Sequence, residues 1–196
     1  MSDKYILTEF LELSNDQSLL TESERQKMNE GEEFILAGVM QRAEAENGNG
    51  RIYPMDILAR EVENYKKLVR DSRALGELDH PDSPVIELKN ASHMVTFIEM
   101  RGKDVIGKIR ILDTPAGRTA KELLKGGVKL GISSRGLGST KQQSGKTIVQ
   151  EDFQLVCFDL VSEPSTTGAF MLKEGLRPNL FTKADRINRI LNSIIK

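Results

Sequence analysis

Short apolar segments, separated by turns rich in glycine, proline and asparagine, constrain the fold most. These candidate strands are residues 34–40, 85–99 (one long strand or two short ones), 104–112, 128–134 and 147–161 (one long strand or a bulged pair). Apolar runs of this length between turn residues are typical of β-strands. About six strands in all would outnumber the helices. The sequence therefore predicts a β-rich α+β domain whose strands form a closed or nearly closed β-barrel flanked by helices.

Three segments have helical patterns. Pro54 suits a first helical position, and apolar residues follow at helical spacing through residue 70. Residues 119–125 form a shorter candidate that ends at two glycines. Thr182 can cap a helix over 182–195, whose apolar face is Ile187, Ile190, Leu191, Ile194 and Ile195. That face either packs on the domain or binds a partner.

Composition excludes several classes of protein. The 196 residues carry a net charge of −1, which gives no electrostatic reason to expect nucleic acid or an anionic membrane as partner. No apolar run reaches the ~18 residues of a membrane span, and the first residues do not fit a secretion signal. Cys157 is the only cysteine and lies in an apolar run, which predicts a buried thiol.

The chain divides by composition into three parts. Residues 14–29 are rich in polar side chains and form a poor core, so 1–31 is predicted to be a mobile or removable extension. Residues 32–168 are predicted to form the functional domain, and residues 169–196 a tail that ends in the terminal helix.

One of the two histidines lies in a stiff, acid-rich segment. His80 is followed by prolines at 81 and 84, and its acidic neighbours are Glu77, Asp79 and Asp82. A fixed imidazole suits a general base, whereas the same acidic residues suit a divalent cation. His93 shares strand parity with Val95 and Phe97, so it is expected on a packed face.

A strand that runs into two serines supplies a candidate nucleophile. Leu130, Ile132 and Ser134 share one face of this strand, and Gly131, Ser133 and Arg135 share the other. If the first face is the core, Ser133 faces a substrate and Gly131 leaves room for its backbone. A bulge at the following glycines would reverse this assignment and favour Ser134.

Asp159 is an ionisable residue within the apolar segment 153–161. A buried carboxylate needs a partner, because burying it unpaired is unfavourable. Asp159 therefore either pairs with an arginine or accepts a hydrogen bond from a histidine ring, as an orienting acid does.

Four segments in order resemble the prohead (procapsid maturation) proteases of tailed phages, especially the T4 type. They are Asn-Gly-Arg-Ile-Tyr-Pro at 49–54, Leu-Gly-Glu-Leu-Asp-His-Pro at 75–81, Gly-Ile-Ser-Ser-Arg-Gly-Leu-Gly-Ser at 131–139, and Asp-Leu-Val-Ser-Glu-Pro-Ser at 159–165. The resemblance covers about 34–168, in the order of the family.

The resemblance implies a serine endopeptidase that works inside the immature prohead in the host cytoplasm. Its substrates would be the scaffold or core proteins, the major capsid protein and the protease itself, and it would self-associate and need no cofactor or metal. The implied fold is like that of herpesvirus assemblin proteases and phage tail-tube proteins. The family's histidine falls on His80, its serine on Ser133, and an acidic position on Asp159. Backbone N–H groups from Ser134 to Gly136 are oxyanion-hole candidates, and Arg135 either positions the substrate or forms a structural ion pair.

T4-type relatives favour cleavage after Glu, with an apolar residue two positions earlier and a small residue next. Leu172-Lys173-Glu174-Gly175 fits this pattern fully, and Met28-Asn29-Glu30-Gly31 fits it loosely. The resemblance thus predicts self-cleavage between Glu30 and Gly31 and between Glu174 and Gly175.

Two other functions remain as alternatives. A capsid or tail-tube-like assembly protein on the same barrel would have no use for His80, Ser133 or the Glu-Gly pairs. A metal-dependent hydrolase would use the acidic loop around His80.

Overall fold

The computed structural model describes residues 5–11, 16–81 and 83–162. These residues form ten strands and three α-helices. The strands are β1 (Tyr5–Leu11), β2 (Ile35–Arg42), β3 (Arg51–Ile52), β4 (Leu75–Glu77), β5 (Ala91–Arg101), β6 (Asp104–Ile111), β7 (Gly131–Gly138), β8 (Thr140–Gln143), β9 (Lys146–Val149) and β10 (Gln154–Val161). The helices are α1 (Glu22–Asn29), α2 (Met55–Arg70) and α3 (Pro115–Lys125).

The strands form three sheets. The first has the order β1-β7-β10, the second β2-β6-β5-β4, and the third β3-β9-β8. All pairings are antiparallel except that of β3 with β9. Within the described ranges none of the three sheets closes on itself. The fold is therefore mixed α+β and rich in strands, as predicted, but it has more than about six strands, and no closed barrel is shown.

Two of the predicted helices are present. Helix α2 follows Pro54 and buries Leu58, Val62 and Tyr65 in the core. Helix α3 begins four residues before the predicted 119, because Thr114 caps it by accepting a hydrogen bond from the Gly117 N–H. The predicted terminal helix 182–195 lies outside the described residues.

Several strand boundaries differ from the predictions. The predicted strand 85–99 begins only at Ala91, and the preceding residues Val85 and Leu88 are exposed apolar side chains. The segment 147–161 is divided into β9 and β10 by a turn at 151–152. The predicted strand 128–134 lies instead at Gly131–Gly138. Residues 140–149, most of which precede or begin the segment 147–161, form the β8–β9 hairpin.

The N-terminal residues are more ordered than their composition predicts. Strand β1 pairs with β7 from Tyr5↔Gly138 to Leu11↔Ile132. Helix α1 has a capping box between Thr21 and Glu24, and Leu20 before it is buried. Pairing with β7 thus gives residues 5–11 a strand structure, and the capping box gives 22–29 a helical structure that their polar composition did not predict. Whether 1–31 is removed stays a prediction.

The apolar core lies among the first sheet, the second sheet and α2. Tyr65 of α2 packs edge-to-face on Phe158 of β10, with 5.6 Å between ring centroids. This contact fixes β10, which carries Asp159, against the helix. None of the helices in the described ranges combines the length and the apolar character needed to cross a membrane.

Candidate active site

His80 lies in the loop that follows β4. Leu78 forms a parallel bridge with Leu160 of β10, and the Asp79 N–H donates to the Leu160 carbonyl at 2.8 Å. Asp79 has a φ of +66°, a left-handed conformation that aspartate tolerates better than most residues. The turn at Asp79, followed by Pro81, directs His80 toward the first sheet.

The structure brings His80, Ser133 and Asp159 together. His80 Nε2 lies 2.5 Å from Ser133 Oγ, and His80 Nδ1 lies 3.0 Å from Asp159 Oδ2. Asp159 and Ser133 are directly opposite each other on β10 and β7. Ser133 is 1% exposed and Asp159 is fully buried, whereas the His80 side chain is 27% exposed.

Arg135 connects this group to a second buried carboxylate. Its Nε donates to Asp159 Oδ2 at 2.9 Å and its Nη2 to Asp159 Oδ1 at 3.2 Å. It also pairs with Glu77 and donates to the Ser83 carbonyl. All three charged side chains are fully buried. Arg135 therefore forms an ion-pair network, one of the two roles expected for it.

The network holds Asp159 in its charged form. Burial alone would raise its pKa, but the hydrogen bond from His80, the Arg135 charge and the Glu77 N–H together keep the pKa below its ordinary value. Arg135 contributes one positive charge against the two carboxylates.

The residues predicted to line an oxyanion hole lie in the centre of a sheet. Ser134, Arg135 and Gly136 of β7 face β1 on one side and β10 on the other. The Ser134 hydroxyl is buried and has no hydrogen-bond partner among the described residues. Ser134 is thus as buried as Ser133, but only Ser133 contacts His80.

His93 and Cys157, the other titratable residues considered in the sequence, are packed inside the domain. The His93 ring is fully buried between the Ser92 hydroxyl, 2.8 Å away, and the Phe158 carbonyl, 3.0 Å away. Burial and the nearby Asp159 raise the pKa of the Cys157 thiol, so it is uncharged at neutral pH. His93 and Cys157 are packed as predicted.

No group of three or more potential ligands in the described part of the chain is arranged to hold a metal ion. Asp82, one of the acidic residues considered for such a site, lies outside that part. The Glu77 carboxylate is instead engaged by Arg135 and by the Glu87 N–H at 3.0 Å. Glu77 thus belongs to the Arg135 network.

The predicted cleavage position between Glu30 and Gly31 lies at the C-terminal end of α1. Met28 and Asn29 are helical, Glu30 is the C-cap, and Gly31 has a φ of +78°. A protease that binds its substrate in an extended form would need this turn to unwind first. The second position, between Glu174 and Gly175, is outside the described residues.

Glu9 is a site residue that the sequence analysis missed. Ser133 Oγ lies 2.8 Å from the Glu9 carbonyl oxygen. Leu7-Thr8-Glu9 has the apolar residue two positions before a glutamate, but the large Phe10 follows it. A search for the apolar-x-Glu pattern that ignored the next residue would have found Glu9.

An open depression of about 510 Å³ does not include the Ser133 group. It is lined by residues of α2 and of the segment around Phe153. Its polar side chains hold the start of β10, because Arg60 donates to the Phe153 carbonyl and Glu61 accepts from the Leu155 N–H. This depression is therefore explained by packing.

A serine, a histidine and a buried aspartate in this hydrogen-bonded order form the arrangement found in serine hydrolases. Comparison with known proteins gives the family. Residues 5–178 match the model of the prohead core protein serine proteases, and the chain belongs to that family. It is 33% identical over 158 residues to the prohead core protein protease of Enterobacteria phage T4, covering 78% of this chain and 74% of that protein.

The solved structure of the bacteriophage T4 capsid assembly protease, gp21, has a similar fold. The TM-score is 0.67 at 27% identity, and the match covers 83% of this chain and 99% of the other. The mixed α+β architecture is thus shared with that protease.

Proposed function

We propose that this chain is a serine endopeptidase of capsid maturation, with Ser133 as nucleophile, His80 as general base and Asp159 as orienting acid. The observation that carries the proposal is the continuous hydrogen-bonded row from Ser133 Oγ through the His80 ring to Asp159 Oδ2. The membership in a prohead protease family supports it independently of this geometry.

The geometry supports an acyl-transfer mechanism. Asp159 accepts a hydrogen bond from His80 Nδ1–H, which leaves Nε2 to take the Ser133 proton as Oγ attacks the scissile carbonyl. His80 then gives that proton to the leaving amine, and water hydrolyses the acyl-enzyme by the same route. The excess negative charge of the Arg135 network stabilises the transient imidazolium without protonating Asp159.

The names of the relatives support the proposed substrates and location. One relative is named a prohead core protein protease and another a capsid assembly protease. We therefore propose phage core or scaffold proteins and the major capsid protein as substrates, inside the immature prohead. Cleavage after Glu, self-cleavage at Glu30–Gly31 and Glu174–Gly175, and self-association complete the proposal.

The oxyanion is proposed to bind backbone N–H groups between Ser134 and Gly136. Such donors are worth about 3–4 kcal/mol each in studied enzymes. Because β7 is paired with β1 and with β10, a donor on the β1 side becomes available only when β1 moves away.

The first two sheets are proposed to form a nearly closed barrel. The Leu78–Leu160 bridge connects β4 to β10 at one seam. At the other seam β1 lies beside β2. This closure explains how His80, in the loop that follows β4 of the second sheet, reaches Ser133 on the first.

Alanine variants of the proposed residues test the function. Purified capsid or core protein is incubated with wild type, Ser133→Ala, His80→Ala and the matched control Ser134→Ala. We expect Ser133→Ala and His80→Ala to lose at least about 10³-fold in rate, and Ser134→Ala to remain active. A fluorophosphonate should label wild type at Ser133, and a chelator should not reduce activity.

Loss of activity in Ser134→Ala alone would move the nucleophile to Ser134. Loss of activity in the presence of a chelator would favour the alternative of a metal-dependent hydrolase. Intact masses of the same samples report self-cleavage, and wild type that cuts substrate but never shortens would refute the two self-cleavage positions.

A further inference from the structure

Strand β10 lies beside the short strand β4, and the regular pattern of backbone hydrogen bonds between them is broken at one place. The Asp79 N–H, just after β4, donates to the Leu160 carbonyl at 2.8 Å. Because the bonds of a parallel ladder are evenly spaced, the Glu77 N–H two residues earlier would donate to the Phe158 carbonyl. The Glu77 N–H instead donates to Asp159 Oδ1 at 3.0 Å. The Phe158 carbonyl therefore needs a different donor.

The side chain of His93, on β5, supplies that donor. His93 Nε2 lies 3.0 Å from the Phe158 oxygen, and because a carbonyl oxygen only accepts, Nε2 carries the proton. Burial lowers the pKa of His93 to about 4, so the ring is neutral at pH 7. Its unprotonated Nδ1 accepts a hydrogen bond from the Ser92 hydroxyl, 2.8 Å away. Both ring nitrogens are thus satisfied in one tautomer.

Gly76 allows the His93 ring to reach across β4. Gly76 and His93 are directly opposite each other on β4 and β5. A Cβ at Gly76 would overlap both the His93 ring and the Phe158 carbonyl oxygen. A side chain at this position would therefore separate the ring from the carbonyl, so the glycine and the histidine act as a pair.

These contacts give His93 a role in orienting the acid of the Ser133 site. We propose that His93 is a positioning residue of the protease, because it occupies the Phe158 carbonyl and so leaves a backbone N–H free for Asp159. That N–H holds Asp159 Oδ1, while Oδ2 lies 3.0 Å from His80 Nδ1. His93 acts only through Asp159, since both of its own ring nitrogens are engaged elsewhere. This inference rests on the proposed protease function.

Without the His93 ring, a buried carbonyl would lose its donor. Phe158 is fully buried, and an unpaired polar group in such surroundings is unfavourable. The Glu77 N–H is the donor that a regular ladder would offer, and it would turn from the carboxylate to the Phe158 oxygen. Asp159 would keep its hydrogen bonds from Arg135 but lose one donor to Oδ1. Its carboxylate is then free to rotate away from the His80 ring.

The first experiment measures kcat and KM for an internally quenched peptide with one glutamate. The full-length wild type is compared with His93→Leu, which has no donor, and with His93→Gln, whose amide Nε2 replaces the imidazole Nε2. A lost hydrogen bond to a charged group changes a rate by about tenfold or more. Because Arg135 still holds Asp159, we expect His93→Leu to lose about tenfold in kcat with KM unchanged. His93→Gln should recover most of that loss.

Val95→Ala is the control that separates positioning from stability. Val95 is fully buried on the same strand and belongs to the apolar core. Its truncation removes apolar contacts and no hydrogen bond, so it lowers stability without freeing the Phe158 carbonyl. Val95→Ala should keep the wild-type kcat even where its urea midpoint falls as far as that of His93→Leu. An equal loss of kcat in both variants would overturn the inference.

The second experiment observes the His80 ring directly, by NMR of protein with nitrogen-15-labelled histidine at pH 8. The chain has two histidines, so every imidazole signal of His93→Leu comes from His80, and His80→Gln assigns the wild-type signals. We expect the wild-type His80 proton on Nδ1, facing Asp159. The share of the Nε2–H tautomer should rise in His93→Leu and return to the wild-type level in His93→Gln. An unchanged tautomer in His93→Leu would refute the positioning role.

His93→Asn keeps the test valid if His93→Leu does not fold. The asparagine amide takes the place of Nδ1 beside Ser92 and ends short of the Phe158 carbonyl, so the same tenfold loss is expected. Wild-type kcat in folded His93→Asn would contradict the inference.

Failure of the proposed function is distinguishable from these outcomes. In that case no chain hydrolyses the peptide and the fluorophosphonate labels no serine. A protease whose kcat is the same with and without a donor at position 93 retains the function and loses only the inference.

Discussion

Arg135→Met removes the positive charge from a buried network and keeps a side chain of similar length. In the native protein Arg135 is fully buried and donates to Asp159 at 2.9 and 3.2 Å, besides pairing with Glu77. The substitution leaves two fully buried carboxylates without a cation. Breaking a buried pair in this way costs about 3–5 kcal/mol. A domain has a free energy of unfolding of about 5–15 kcal/mol, so the variant should fold with a small margin.

Urea unfolding at pH 8 and pH 5 measures this loss. The free energy of unfolding falls by about 2 kcal/mol for each M of urea, so the urea concentration at the unfolding midpoint should fall by roughly 2 M. The loss should be smaller at pH 5, because without Arg135 burial raises the pKa of Asp159, and its protonation relieves the unpaired charge. Arg42→Met, which breaks the half-exposed pair with Asp104, is the control and should lose no more than about 1 kcal/mol. A loss below about 1 kcal/mol for Arg135→Met, equal at both pH values, would refute the role of the network.

Three further predictions concern the surroundings of the site. Burial holds the pKa of His93 at about 4, below its ordinary value of 6.5, despite Asp159 and the Phe158 carbonyl. The stability contributed by its neutral ring is complete above pH 6.5 and declines as the pH falls toward 4. Chemical unfolding should show the free energy of unfolding falling by up to about 3 kcal/mol over this pH range. The fall should be absent in His93→Gln. Asp159→Asn should lower kcat about 10⁴-fold in peptide hydrolysis, and an unchanged kcat would exclude Asp159 as orienting acid. In Gly76→Ala a Cβ would overlap the Phe158 carbonyl and the His93 ring, so thermal unfolding should occur several degrees lower, and an unchanged melting temperature would contradict that packing.

Local patterns in the sequence were sufficient to predict much of the site. The prolines around His80 predicted a stiff segment that fixes the imidazole. The alternation of side chains along residues 131–135 indicated which of them share a face. The structure does bring Ser133, His80 and Asp159 into hydrogen-bond distance. Strand parity predicted that Ser133 lies on an open face of its strand. In the structure Ser133 is buried, with 1% of its surface exposed.

Contacts between distant segments were not predictable in this way. Glu9 contacts Arg51 across 42 positions and Ser133 across 124. Nothing in the periodicity of residues 5–11 specifies which strand they join, since register depends on the partner surface. For the same reason, Arg135 and Glu77 could each be recognised as charged residues near the site, but not as partners of one another.

The position of β1 in the first sheet has a consequence for the order of folding. Strands β5 and β6 are joined by a two-residue turn with Gly102 at a φ of +60°, so this hairpin closes a very short loop. Strand β1 is synthesised first, yet its partner β7 follows only after more than a hundred residues. Because closing a long loop is entropically unfavourable and slow, we expect β1 to join last. A nascent chain would therefore complete the Ser133 site only after β7 and β10 have left the ribosome.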